Sequence, residues 1–97
     1  MSLEISEKAF EDIESIWLYT VETWSVEQAD RYYNLIFDEI EYIAKKPLSG
    51  RNFSNIREGY RCSKIKSHLI FYRYRELQGV VEIIRVLHQS MDIENKL

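Results

Sequence analysis

The sequence predicts an α+β fold in which an antiparallel helical hairpin packs on a small antiparallel sheet. Three observations carry that prediction. Two amphipathic stretches with helical spacing lie back to back between residues 7 and 46, three β-rich runs separated by tight turns fill residues 60–87, and a short alternating stretch opens the chain. Helices and strands fall in separate blocks instead of alternating, which is the pattern of α+β rather than of a parallel α/β sheet. A chain of 97 residues is sized for a single domain, residues 1–97, burying roughly 60–65% of the surface its unfolded form exposes.

Leu3-Glu4-Ile5 alternates and is short enough for an opening edge strand. Ser6 then stands as an N-cap, with Glu7 in the first turn where the helix dipole favours negative charge. Ala9, Phe10, Ile13, Ile16, Trp17, Thr20/Val21 and Trp24 recur at i, i+3 and i+4, so the spacing predicts a helix over about 7–23 with Glu11, Asp12, Glu14 and Glu22 on its outer side. Ser25-Val26-Glu27-Gln28 reads as a capping box that starts a second helix. Its apolar stripe is Ala29, Tyr33, Ile36, Phe37, Ile40, Ile43 and Ala44, and Pro47, lacking an amide hydrogen, ends it near Lys46. So short a connection turns the two helices back on each other. Trp17 and Trp24 are expected to be hairpin core rather than a ligand cage.

Leu48-Ser49-Gly50 is a turn, and Arg51 to Glu58 shows no periodicity and is expected to be a loop. Strands are predicted at Tyr60–Ile65, His68–Arg75 and Val80–Leu87, the last two joined through Gly79, and short connections make this a C-terminal antiparallel meander. Alternation on the second of these strands puts His68, Ile70, Tyr72 and Tyr74 on one face and Leu69, Phe71 and Arg73 on the other. With both faces partly apolar, one is expected to carry the hairpin and the other a partner. Ser90 to Glu94 supplies the cap and acidic first turn of a short C-terminal helix.

Composition excludes more than it names. No run of about 18 apolar residues is present, and the first residues lack the basic start and apolar stretch of a signal peptide, so no membrane association is expected and the chain reads as cytoplasmic. A lone Cys62 offers neither a disulfide nor zinc-ligand spacing and is expected to be a packing residue. No Gly-rich phosphate loop, Ser/His/Asp set or metal-ligand spacing occurs, so neither cofactor nor metal is expected. The formal charge of −3 hides an asymmetry: residues 1–44 carry two basic against eleven acidic residues, and residues 45–97 eleven basic against five acidic. From Lys45 to Arg75 there are nine basic residues and one acid, Glu58. That balance suits phosphates or an acidic partner, and it equally suits an acidic half neutralising a basic half within one molecule.

Particular residues go further than composition. Ala9, Ile13, Ile16 and Tyr19 on the first helix, Trp24 before the turn, Gln28-Ala29 and Tyr32/Tyr33 after it, the Pro47-to-Gly50 turn and Ile56-Arg57-Glu58-Gly59-Tyr60-Arg61 form one ordered set. Ser67-His68-Leu69-Ile70-Phe71-Tyr72-Arg73, Ile83 to His88 and Met91-Asp92 complete it. In this register nearly the whole chain resembles toxins of the RelE/ParE superfamily, specifically its ParE branch. The resemblance implies the toxin of a type II toxin-antitoxin (plasmid stabilisation) system, silenced by a ParD-like antitoxin from the neighbouring gene in a hetero-oligomer. ParE-like members act on DNA gyrase, whereas RelE-like members cut messenger RNA in the ribosome. One scaffold hosts both, so the site must decide.

Cleavage of RNA without a metal needs a general base, an acid for the leaving oxygen and cations on the phosphate. For that chemistry the sequence offers Arg61, Arg73, Arg85 and His88. Gln89 follows where ribosome-dependent members commonly carry a tyrosine or similar group, and Lys64 and Lys66 match their basic cluster only in part, so no catalytic set is expected. His88 reads more simply as a strand-end histidine bonded to backbone, and His68 as a sheet-packing residue. Arg73, Arg85, His88, Met91 and Asp92 are the expected target-binding residues. A surplus of hairpin aromatics, with arginine on the sheet, marks a surface to be covered. The antitoxin is expected to fold on binding there, meeting Trp17, Tyr33, Arg57, Arg61 and Arg73; a non-toxic antitoxin-bound or nucleic-acid-binding module is the remaining alternative.

Overall fold

The computed structural model describes residues 2–97. Its elements run β1 (Ser2–Ile5), α1 (Glu7–Thr23), α2 (Val26–Lys45), β2 (Arg51–Asn52), β3 (Tyr60–Ile65), β4 (His68–Arg75), β5 (Val80–His88) and α3 (Ile93–Lys96). The helix starts follow from their caps. Ser6 Oγ accepts from the Ala9 amide at 3.0 Å and donates to the Ile84 carbonyl at 2.8 Å, so one hydroxyl begins α1 and ties it to β5. Ser25 Oγ accepts from the Gln28 amide at 3.1 Å, which forms the serine half of the predicted capping box.

The strands make one sheet in the order β1-β5-β4-β3-β2. Three of its four pairings are antiparallel, but β1 lies parallel to β5, with Ser2 opposite Val80 and Ile5 opposite Ile83. The sheet is therefore mixed, where the sequence suggested an antiparallel one. Local alternation specifies that residues 3–5 are extended, whereas their direction relative to a neighbour is fixed by how the chain returns from the other end of the sequence. The expected loop from Arg51 also differs, since Arg51 and Asn52 pair with Cys62 and Arg61 as a short edge strand. Beyond it, Asn52 Oδ1 takes the Ser54 amide at 2.8 Å in an Asx turn, and Gly59 at φ 80° leads into β3.

The hairpin covers one sheet face. Ala9, Ile13, Ile36, Ile40 and Ile43 meet Ile70, Tyr72, Val81, Ile83 and Val86, every one of them buried. Shortening any of these isoleucines to alanine costs about 2–5 kcal/mol, because a rigid sheet cannot collapse into the void. Tyr72 anchors the chain after α2: its hydroxyl donates to the Pro47 carbonyl at 2.9 Å and accepts from the Gly50 amide at 2.8 Å. The ring lies so close that a Cβ on Gly50 would overlap it, which is why residue 50 must be glycine.

The opposite face is not left bare for a partner. Cys62, Phe71 and Leu87 form a second, smaller core under Phe53, Leu69, Ile93 and Leu97, so the chain's own loop and tail cover that part of the sheet. Burial pushes the Cys62 thiol up to about 11, consistent with a packing role. One irregularity shapes everything downstream. The register slips between Phe71 and Tyr72, so that Ile84 is an extra residue on β5. Strict alternation from Val81 and Ile83 would turn Arg85 and Leu87 toward the helices; the bulge turns Val86 and His88 there instead.

Candidate functional site

Three surfaces gather the chemically distinctive side chains. The first is a furrow of about 250 Å³ between the helices on the side away from the sheet, lined by Phe10, Ile13, Trp17, Tyr33 and Phe37 among others. Phe10 is 51% and Tyr33 43% exposed, so the furrow is open apolar surface. The Tyr33 and Phe37 rings lie 4.8 Å apart, and Trp17 Nε1 donates to Asp30 Oδ1 at 2.9 Å, which fixes the indole across the two helices. Trp24, expected in the hairpin core, is instead 69% exposed, because the helix ends at Thr23 and the chain turns away before that side chain can reach the sheet.

The second surface is the basic half of the sheet. Arg73 pairs with Glu82 at 3.1 Å on the face away from the hairpin and stays 42% exposed. Arg61 donates to the Gly50 carbonyl at 2.9 Å, Arg57 only to the Ile56 carbonyl at 3.1 Å, and Arg51 lies 5.0 Å from the centre of the Phe53 ring. Arg85 is tied down most firmly. Its Nε and Nη2 reach the two Asp12 carboxylate oxygens at 2.7 and 2.9 Å, and its Nη1 donates to the Lys96 carbonyl at 3.1 Å. Asp12 Oδ2 also accepts from the Val86 amide at 3.0 Å. That amide belongs to the part of β5 beyond the end of β1, so one carboxylate both closes an open strand edge and holds Arg85.

At the far end of the sheet β4 and β5 bring two histidines together. His68 faces His88 directly, their rings edge to face with centroids 5.2 Å apart. The Gln89 amide donates to the Ser67 carbonyl at 2.9 Å, which makes the histidines a non-hydrogen-bonded pair, the kind whose side chains approach most closely. Tyr32 on α2 donates to the Ile65 carbonyl at 3.1 Å, so its oxygen accepts from His68 Nδ1 at 2.6 Å. Burial first, and then the neighbouring His88, lower His68 from its usual 6.5 to about 4, and the ring is neutral at physiological pH. His88 Nδ1 accepts from the Ser90 amide at 3.1 Å, which leaves a proton on Nε2. Both histidines thus match their plain structural readings: His68 packs on the sheet and His88 bonds to backbone.

Comparison with known proteins places this geometry. Residues 3–93 match the family model described as ParE toxin of type II toxin-antitoxin system, parDE. The chain belongs to the ParE toxin family. It is 46% identical over 89 residues to Toxin ParE1 of Caulobacter vibrioides, covering 91% of this chain and 88% of that one. With Toxin ParE1 of Mycobacterium tuberculosis it shares 38% over 93 residues, 96% of this chain and 94% of the relative. Among solved structures, a chain of the chromosomal ParDE toxin-antitoxin system of P. aeruginosa superposes with a TM-score of 0.78 at 20% identity, covering 91% of this chain and 95% of that one. A chain of the RelBE2 toxin-antitoxin complex of Mycobacterium tuberculosis superposes at 0.68 with 18% identity, covering 90% and 95%. These two show the shared fold.

This ParE-family chain is therefore the toxin of a type II toxin-antitoxin system. Among the described residues no helix is long and apolar enough to cross a membrane. The four residues that RNA cleavage would draw on do not converge. Arg61 faces the hairpin side and holds the turn at Gly50, Arg73 lies on the opposite face, Arg85 is bound to Asp12, and His88 sits at the end of β5. Trp17 and Tyr33 do share a surface, as do Met91 and His88, which line one cavity of about 540 Å³. Asp92 stands at the N-cap position of α3 without capping it through its side chain, and its carboxylate accepts instead from the Asn95 side-chain Nδ2 at 2.6 Å. Sequence reading missed Asp12, assigned to the solvent side of α1. Its place one residue before Ile13 and three after Ala9, at the margin of the apolar stripe, was the available signal.

Proposed function

We propose that this toxin acts by binding rather than by catalysis, with DNA gyrase in the cytoplasm as its target and a ParD-like antitoxin as its silencer. The observation that carries the first part is the dispersal of Arg61, Arg73, Arg85 and His88: two of the arginines are committed to fixed structural contacts, and the cations and the imidazole that cleavage would need at one phosphate occupy different faces and ends of the sheet. Similarity to the ParE toxins supports gyrase as the target. The target contacts proposed are Arg73, His88, Met91 and Asp92, with Arg85 positioning the tail that carries the last two through its bond to Lys96. The antitoxin's C-terminal segment lays apolar side chains in the furrow at Trp17 and Tyr33 and directs acidic ones toward Arg57, Arg61 and Arg73. Both structural neighbours belong to toxin-antitoxin systems.

The test is direct. Purified toxin added to gyrase and relaxed plasmid should block supercoiling and accumulate cleaved DNA while leaving messenger RNA intact in a translating extract. Unaffected gyrase together with cut messenger would assign the protein to the ribonuclease branch instead.

A further inference from the structure

Beside the histidine pair, a groove of about 470 Å³ runs between the tip of the helical hairpin and the β3–β4 turn. Its walls come largely from α1 and α2, the half of the chain in which acidic residues outnumber basic ones eleven to two, yet none of its lining residues is a carboxylate. Two cations line it, Arg31 and Lys66, both exposed and neither paired with an acid among the described residues. Two planar side chains stand at its mouth, Trp24 at 69% and Tyr19 at 67% exposure. The histidines line its floor.

The turn itself carries a second sign. Lys66 has φ 50°, a conformation that favours glycine or asparagine in a two-residue hairpin loop. Residues held in such sparsely populated conformations cluster at binding and active sites. Here the turn sets an ammonium group against a groove already lined by a guanidinium and aromatic rings.

We propose that this groove holds an unpaired nucleotide of a single-stranded nucleic acid, its base stacked on Trp24 and Tyr19 and its phosphate between Arg31 and Lys66. Stacking accepts any base, and the two cations follow the backbone, so recognition is of a single strand rather than of a sequence. A duplex, with its bases already stacked, offers the aromatic rings nothing. The groove is distinct from the outer furrow assigned to the antitoxin, and the proposal holds whether the toxin's target is gyrase or the ribosome.

The test uses the full-length chain and a short labelled single-stranded oligonucleotide, followed by fluorescence anisotropy, beside the ribonucleotide version and the duplex of the same sequence. Both single strands should outbind the duplex, and the tighter of them identifies DNA or RNA as the source. One neutralised phosphate gives log K a slope against log salt of about −0.7. Trp24→Ala should weaken binding about 5- to 150-fold, the range of one lost stacking contact. Arg31→Ala and Lys66→Gly should weaken it too, and Lys66→Gly should do so while the melting temperature stays level or rises, since glycine relieves the turn. Equal binding of the duplex, or affinities unchanged in all three variants, would overturn the proposal. Displacement by polyglutamate as effectively as by unlabelled oligonucleotide would overturn it as well, assigning the groove to an acidic polypeptide.

Discussion

At the scale of single residues, Asp12 contributes more than its position on a mostly polar helix face suggests. The Asp12 and Arg85 side chains are only 14% and 17% exposed, which makes the pair half-buried and less screened by solvent than a surface ion pair. The hydrogen bonds to Asp12 raise Arg85 further above its already high pKa, so the guanidinium stays charged across the physiological range. Asp12→Ala leaves Arg85 unpaired and the Val86 amide without an acceptor, a cost of about 3 kcal/mol. Urea unfolding checks this, and a change below about 0.5 kcal/mol, the size expected of a surface substitution, would contradict it. His68 makes a different prediction. Because its folded pKa of about 4 lies below the usual 6.5, the unfolded chain binds a proton in that window that the folded chain refuses. Stability from His68 is fully present above pH 6.5 and is lost as pH falls toward 4. Partial exposure limits the loss to about 1–2 kcal/mol, less than the shift alone would give. His68→Gln keeps a polar group on Tyr32 but does not titrate, so its stability should decline less than wild type between these two pH values. Parallel decline of the two proteins would show that His68 is not the group responsible.

At the scale of elements, the helical hairpin separates its two jobs by face. The inner stripe of Ala9, Ile13, Ile36, Ile40 and Ile43 is spent on the sheet, while the furrow with Phe10, Trp17, Tyr33 and Phe37 remains open. Substitutions on the two faces should therefore have opposite profiles. Tyr33→Ala, at a position 43% exposed, should change the unfolding free energy little, yet weaken antitoxin binding by about 2 kcal/mol or more if the furrow is the central contact. Glu11→Ala, a rim charge on α1, should alter affinity by less than about 1 kcal/mol. Calorimetric titration of the two variants with purified antitoxin decides the matter, and equal affinities would move the interface elsewhere on the molecule. Tyr72 acts at this scale too, since its hydroxyl holds the segment between α2 and β2 in the place from which Arg61 can reach the Gly50 carbonyl.

At the scale of the whole molecule, charge is divided between the two layers: acidic helices stand over a basic sheet region. Part of that division is used internally, in Asp12–Arg85 and Glu4–Arg75, where a helix and the first strand meet later strands. The remainder lies on the surface, and Arg31, Arg57, Lys64 and Lys66 make no ion pair among the described residues. A toxin silenced by a partner should arrest growth when expressed alone and should be relieved by coexpression of the neighbouring gene. Normal growth in both cases, with a stable soluble product, would assign the chain to a scaffold without toxicity.

The sequence by itself determined every element except the short edge strand β2. Serine caps at Ser6 and Ser25, the stop at Pro47, helical spacing on either side of Trp24 and the turn at Gly79 are local signals, and each acts within a few residues. The ordered set of residues from Ala9 to Asp92 was sufficient to point to the ParE family. Tertiary structure alone decided the site. Whether β1 runs parallel or antiparallel depends on a partner strand almost the whole chain away. A single extra residue at Ile84 decides which side chains of β5 face the hairpin, and so places His88 beside His68. The face expected to receive a partner proved to be partly covered by Phe53, Ile93 and Leu97, which come from a loop and a tail outside the strands they cover. Arg85 reads as a free cation until Asp12, 73 residues earlier, is seen against it. Spacing records what each segment buries, but which segments meet, and which charges they cancel, is settled only by long-range packing.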